Sequence, residues 1–427
     1  MIHPGCYICK VEFKHMAIMK KKLNFNDKIR GSLMVGAMGD ALGYEVEFMR
    51  RGAILAEYGE KGITQLALGN RGKAQISDDT QMTLFTAAGI LYGDTRGCMT
   101  GLCGKLEGYV QEAYKDWYYT QNVAAKDYVP CTWLYHIAGL HNNRAPGITC
   151  LNACWDIING REVNNNSKGC GGIMRVAPMP LYLIRNADRC DESVLVAELC
   201  AQIAACTHKH PLGFLPAALL GVFIYKIALL SVDEVKNKLQ DLVEESLLVI
   251  DNIYVDKYPS YLNDLKDITH KSVQLANSNI SDAEAIVQLG EGWVAEETWA
   301  IALFATIRHI DSVEEALIAS VNHDGDSDST GAVTGNIMGA IYGYEHIKNA
   351  NLLCPKGKRL EEIVELSDVI LAIADDLTTG CIISEWSLFK TRAQKQWSER
   401  YFFVKPVGFE KKSREKNCRL CEIYLKK

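Results

Sequence analysis

Apolar residues recur every three or four positions through most of the chain, as in Leu84, Ala87, Ala88 and Leu91, in Leu195, Leu199, Ile203 and Cys206, and in Ala300, Leu303, Phe304 and Ile307. That spacing places them on one face of a helix, and runs that alternate as a half-buried strand would are short and rare, so the chain reads as predominantly helical. The longest apolar run, Pro211 to Leu230, is interrupted by Pro216 and Lys226 and reads as the buried helix of a large bundle rather than as a membrane span. Two helices carry a glycine ladder: Gly36, Gly39 and Gly43 follow Gly31 in one, and Gly331, Gly335, Gly339 and Gly343 follow Ser329 in the other. Glycine inside a helix costs about 1 kcal/mol relative to alanine. A repeated ladder therefore predicts close backbone approach between crossing helices at the packed centre.

Clusters of Gly, Asn and Pro break this pattern and predict loops at Leu68 to Gln75, His141 to Thr149, Asn164 to Gly172 and Asn322 to Asp328. One core domain over about 27–385 is the simplest partition. A basic N-terminal extension over 1–26 precedes it, and a basic tail over 386–427 follows it. Hydrophobic residues at 48% and charged residues at 23% of 427 suit a folded protein with a sizeable core. A net charge of -6 argues against a surface that tracks phosphates, so no nucleic-acid partner is expected. The 15 cysteines are scattered through apolar sequence, which suits buried thiols in a reducing compartment. The N-terminal segment lacks the continuous apolar stretch of a secretory signal, so a cytoplasmic location and no membrane partner are expected. Cys6 and Cys9 with Cys418 and Cys421 form two CxxC pairs, but a zinc site from them would require the termini to meet.

Chemistry concentrates where loops become helices. Ser77-Asp78-Asp79-Thr80 opens one apolar helix, and Asp324-Gly325-Asp326-Ser327-Asp328-Ser329-Thr330 opens the second glycine helix. Either cluster alone reads as a helix cap. Several adjacent carboxylates repel, however, and with flanking hydroxyls they suit a hard, oxygen-liganded cation such as magnesium or manganese. The second cluster is not an EF-hand, because its sixth position is Ser329 and its twelfth is Gly335. Lys168-Gly169-Cys170-Gly171-Gly172 reads either as a tight turn or as a cradle for a phosphate. His208, in Thr207-His208-Lys209-His210, reads as a capping or core residue, and Glu47 as a solvated acid or one whose pKa is raised by apolar neighbours.

Taken together, these segments resemble the ADP-ribosylglycohydrolase family. The resemblance rests on Gly39-Asp40-Ala41-Leu42-Gly43 with Glu47-Phe48, Ile76 to Met82, Arg144 to Gly147, Lys168 to Pro178, Thr207-His208, Gly292 to Glu297 and Gly325 to Gly331, in family order over about 27–385. It implies an all-α, large single-domain helical bundle with a binuclear magnesium cleft. Ser77, Asp78, Asp79, Asp326, Asp328 and Ser329 would be the metal ligands, with manganese a possible substitute. Lys168, Gly169, Cys170, Gly171, Gly172, Met174 and His208 would bind substrate, while Glu47, Asp79 and Asp328 would act in catalysis. The implied activity is hydrolysis of the glycosidic bond between ADP-ribose and a protein side chain, arginine favoured, so the partner would be an ADP-ribosylated protein or a small ADP-ribose compound. A silent ADP-ribose-binding relative and a two-metal phosphoesterase are the alternatives. The chain departs from the family pattern at Cys170, where the loop often reads Gly-Asn-Gly, and at Asp324, where glycine is common.

Overall fold

The computed structural model describes residues 24–402, apart from 70, 103, 122–127, 188–190 and 385–389. The terminal CxxC pairs lie outside the described residues. Within them are eighteen α-helices and four short 3-10 helices. No strand occurs among them, only isolated bridges between Ala74 and Val364 and between Gly169 and Val294.

At the centre, the helices Phe25–Tyr44 and Ser327–Tyr342 cross in opposite directions. Gly31 meets Gly339 and Gly343, Gly39 meets Gly331, and Gly43 meets the Ser327 carbonyl. A Cβ on Gly39 would overlap the Gly331 carbonyl, and one on Gly335 would overlap that of Val35, so the backbones touch where the ladders predict. Ser32 Oγ adds a hydrogen bond to the Asn336 carbonyl at 2.8 Å across the crossing. A third helix, Asp78–Thr100, leans on this pair with its first turn beside the C-terminal end of Phe25–Tyr44.

The apolar run forms the helix Pro211–Ala228, buried at every position except Pro211 and Lys226. His210 caps it, Nδ1 accepting from Leu212 N at 3.1 Å. Phe223 packs edge-on against Trp299, whose indole donates to Thr269 Oγ1 at 3.0 Å. The periodic segments form the helices Ser193–Ala205 and Ala295–Arg308 around it.

Part of the stretch read as a basic tail is built into this core. The helix Arg392–Tyr401 opens with a capping box between Thr391 and Gln394. Its Trp397 indole donates to Thr95 Oγ1 at 2.9 Å, while Arg400 and the Tyr401 hydroxyl both reach Asp376 Oδ2 at 2.7 Å. Two buried aromatics, Trp397 and Tyr401, outweigh a basic composition that suggested solvent, while Arg392 and Lys395 stay exposed.

Candidate active site

The crossing of the glycine helices brings the two acidic clusters together. Ser77 is the N-cap of Asp78–Thr100, its Oγ accepting from Asp79 N at 3.1 Å, and Asp326 is the N-cap of Ser327–Tyr342, its Oδ1 accepting from Ser329 N at 3.2 Å. Both clusters therefore do cap helices. The remaining carboxylates converge: oxygens of Asp78, Asp79 and Asp328 lie within 4.8 Å of one another, all buried.

Asp40 fixes this geometry from below. Wholly buried in the first glycine helix, it accepts from Ser77 N at 2.9 Å, from Thr80 N at 3.1 Å and from the Thr80 hydroxyl. It thereby ties the start of the Asp78–Thr100 helix to the crossing. Burial, then the charge of Asp328, pushes its carboxyl up to about 7. In the sequence this residue stands only within the Gly39 to Gly43 motif of the resemblance, with no role assigned, and its tertiary partners reveal what it does.

These acids line the floor of a cleft of about 630 Å³. Five carboxylates face it: Glu47, Asp78, Asp79, Asp326 and Asp328. Burial, then Asp328, pushes Asp78, Asp79 and Asp326 well above the usual carboxylate range, and the same causes push Glu47 up to about 10. Asp79 Oδ2 and Glu47 Oε2 are buried with no hydrogen-bond partner. A carboxylate oxygen left so costs about 1–3 kcal/mol or more, and mutual repulsion adds to it. An oxygen-liganded divalent cation removes both penalties, so the donor set present fits one.

The opposite wall is the glycine loop. Gly169, Cys170, Gly171 and Met174 line the cleft, with His208 beneath them. The Cys170 thiol donates to Asp326 Oδ2 at 2.8 Å, joining the loop to the acidic floor. A Cβ on Gly171 would lie 2.8 Å from Cys150 Sγ and 2.9 Å from His208 Cε1, so the loop passes too close to its support for any side chain. The segment Ala145 to Leu151 closes the end of the cleft, and Gly147 N points at Asp78 Oδ2 at 3.4 Å.

Three residues singled out from the sequence lie elsewhere. Ser77 and Gly172 are packed behind the lining, and the Lys168 ammonium pairs with Glu296 instead of facing the cleft. Asp324 also turns away, its Oδ1 accepting from Arg51 N at 2.5 Å, so the departure from glycine there serves a neighbouring helix. Phe48 and Trp293, each within a motif of the resemblance but given no role there, meet at the mouth, where they stack with centroids 6.3 Å apart and remain 75% and 40% exposed.

The fold is all-helical, and its cleft is floored by buried carboxylates. The sequence profile of the ADP-ribosylglycohydrolase family matches residues 21–382, and the chain belongs to that family of glycosyl hydrolases. It is 24% identical to the ADP-ribosylhydrolase ARH1 of Dictyostelium discoideum, over 82% of this chain and 94% of that protein. The same identity, over 82% and 97%, relates it to the ADP-ribosyl-dinitrogen reductase glycohydrolase of Rhodospirillum rubrum. Mouse ADP-ribosylhydrolase ARH3 is 26% identical over 45% of this chain and 55% of its own length. Among solved structures, an ADP-ribosylglycohydrolase-related protein complex superimposes with a TM-score of 0.54 at 21% identity, covering 83% of this chain and 98% of that one, which shows the shared fold.

Proposed function

We propose that this protein is a magnesium-dependent hydrolase that cleaves the bond between ADP-ribose and a modified protein side chain, arginine favoured. One observation carries the reading: Asp78, Asp79 and Asp328 converge, all buried and with Asp79 Oδ2 left without a partner, on the floor of a cleft whose far wall is a glycine loop. Two relatives that align along most of the chain are named as hydrolases acting on ADP-ribosyl groups.

In this reading Asp78, Asp79, Asp326, Asp328 and Ser329 hold two divalent cations, with Ser77 setting the helix start that aims Asp79. Bound there, the cations neutralise the acids and act as Lewis acids toward ribose hydroxyls and water. The remaining work belongs to the chain itself. Gly169 to Gly171 present backbone to the diphosphate, with His208 under it, while Met174 and the Ala145 to Leu151 segment hold the nucleoside end away from water. Glu47, held at the rim with one free oxygen, and Asp79, with Oδ2 unengaged, are the groups placed to take a proton from the attacking water. Positive charge growing on the anomeric carbon is stabilised by the surrounding carboxylates.

The acceptor preference follows from the mouth. An exposed aromatic pair at the mouth favours a planar cation, since a guanidinium can lie against Phe48 and Trp293. The test is hydrolysis by purified protein of arginine-, serine- and cysteine-linked ADP-ribose, with magnesium and with excess chelator. Turnover of the arginine linkage that disappears with chelator is expected. Equal turnover of generic phosphoesters would replace this reading with a two-metal phosphoesterase.

A further inference from the structure

Behind the glycine loop lies a cation without an ionic partner. Arg175 is wholly buried, and its guanidinium, always charged, sits over the Tyr114 ring at 4.7 Å. Nη1 reaches Met82 Sδ at 3.5 Å and Cys150 Sγ at 3.4 Å, and Nη2 donates to Thr207 Oγ1 at 2.5 Å and to the Ile203 carbonyl at 3.4 Å. Nε has no partner, and among the described residues no carboxylate pairs with the group. Burying an unpaired charge is costly, so its surroundings should show what it is kept for.

Those surroundings lead to the cleft in two steps. Thr207 Oγ1 accepts from Arg175 and lies 2.8 Å from His208 Nδ1. His208 in turn lines the cleft, with its Nε2 edge 3.3 Å from where a Cβ of Gly169 would stand. Burial, then the charge of Arg175, pushes the imidazole down to about 3, so the ring is neutral and carries one proton. Which nitrogen holds that proton depends on Thr207. The guanidinium can only donate, so the threonine oxygen receives its hydrogen, and the hydroxyl's own proton needs an acceptor. Two acceptors are in reach of it, Cys150 Sγ and His208 Nδ1, and sulfur is the weaker, so the imidazole nitrogen takes the proton. An accepting Nδ1 leaves the proton on Nε2, the edge that faces the loop.

We propose that Arg175, acting through Thr207, is a positioning residue that fixes His208 as the Nε2–H tautomer and so makes it a hydrogen-bond donor to the diphosphate of the substrate. The proposal rests on the reading of the cleft as an ADP-ribose site. It gives the buried guanidinium a purpose: an anion that arrives with the substrate lies on the far side of the Thr207–His208 pair, where the positive charge favours it. The opposite tautomer would present a bare nitrogen lone pair to phosphate oxygens and repel them.

Replacing Arg175 itself risks the fold, so the test is placed on Thr207, whose hydroxyl can be removed at constant shape. Wild type, Thr207→Val and Thr207→Ser are compared with magnesium present, for ADP-ribose affinity by calorimetry and for kcat and KM on ADP-ribosyl-arginine. Thr207→Val should weaken ADP-ribose about tenfold or more and raise KM with kcat largely kept, and Thr207→Ser should restore both. Long-range proton–nitrogen spectra of histidine-labelled protein should show His208 protonated at Nε2 in the wild type and shifted toward a mixture in Thr207→Val. Undiminished ADP-ribose binding by Thr207→Val, or an Nδ1-protonated His208 in the wild type, overturns the relay while leaving the hydrolase reading intact. Failure of the wild type to bind ADP-ribose overturns both.

Discussion

Asp79 and Asp116 are both buried aspartates, and they live in opposite circumstances. Asp116, on the helix Leu106–Thr120, accepts five hydrogen bonds, from the Tyr128 hydroxyl at 2.5 Å, Cys131 N at 3.2 Å, the Cys131 thiol at 3.6 Å, and Thr132 N and Oγ1 at 2.7 Å each. Burial still pushes it up, but only to about 6, because those donors favour the charged form. Asp79 has one oxygen with no partner and sits among other acids, and burial and Asp328 push it much further. A carboxylate whose lone pairs are all engaged holds a loop in place. One left hungry beside others like it is kept for something that arrives from outside.

The sharpest way to break this contrast is to truncate both residues. Asp79→Ala or Asp328→Ala should lower single-turnover hydrolysis of ADP-ribosyl-arginine by about a thousandfold or more, equivalent to some 4 kcal/mol of transition-state stabilisation. The double variant should lose little beyond either single one, because groups serving one centre are not additive. Near-normal hydrolysis by the double variant would end the metal-carboxylate assignment. Asp116→Ala should instead cost on the order of 3 kcal/mol of stability through its stranded donors, with turnover per folded molecule close to wild type. A kinetic defect at a temperature where that variant is fully folded would erase the distinction between the two aspartates.

How far the sequence carries this contrast depends on where the partners lie. The glycine ladders announced a backbone crossing because helical glycine is hard to explain otherwise, and Gly39 on Gly331 bears that out. Asp78, Asp79, Asp326 and Asp328 stood out because like charges rarely crowd at a helix start without cause. Asp40 lay within the Gly39 to Gly43 motif but drew no role, since a single aspartate in a helix is ordinary until Ser77 and Thr80 are seen donating to it. Arg175 and Thr207 were invisible as a pair for the same reason, as were Phe48 and Trp293, which are far apart in the chain and meet only at the mouth. Lys168 differs in the other direction: a lysine before a glycine loop suggests an anion ligand, and in the structure its ammonium pairs with Glu296.

Metal binding gives a thermodynamic form of the comparison. Magnesium at a hundred times its dissociation constant should stabilise the wild type by about 2.7 kcal/mol per site, seen as a rise in melting temperature over a chelated sample. Asp79→Asn should lose most of that rise yet melt higher than wild type in chelator, since it removes a repelled charge. The pH dependence has a definite sign. The cleft acids have folded-state pKa values above their unfolded ones, so the fold binds more protons, and metal-free stability is greatest in acid and declines as pH rises from about 4 through neutrality. Asp116 contributes in the same direction only up to about 6. Melts in chelator across pH 5 to 8 should therefore fall more steeply for wild type than for Asp79→Asn, with parallel curves counting against the assignment. The smallest effect is expected at Cys170→Ala, which loses one thiol contact to Asp326 and should keep turnover within about threefold. An inactive variant would point to a thiol nucleophile.

The crossed glycine helices also set a timetable. Ser32 and Asn336 touch across the crossing although 304 positions separate them in the chain. On the ribosome, the first helix and the Asp78 cluster emerge long before the partner that completes them, and at about 5–20 residues per second the wait is tens of seconds. Until then the nascent aspartates stay in water, where they neither repel strongly nor bind a cation tightly, and the glycine face of the first helix has no surface to lie against. The newborn chain is thus inert toward substrate until the helix Ser327–Tyr342 has been made, and any truncation before Ser327 yields a product with half a cleft and an uncovered backbone stripe, suited to recognition by chaperones and proteases.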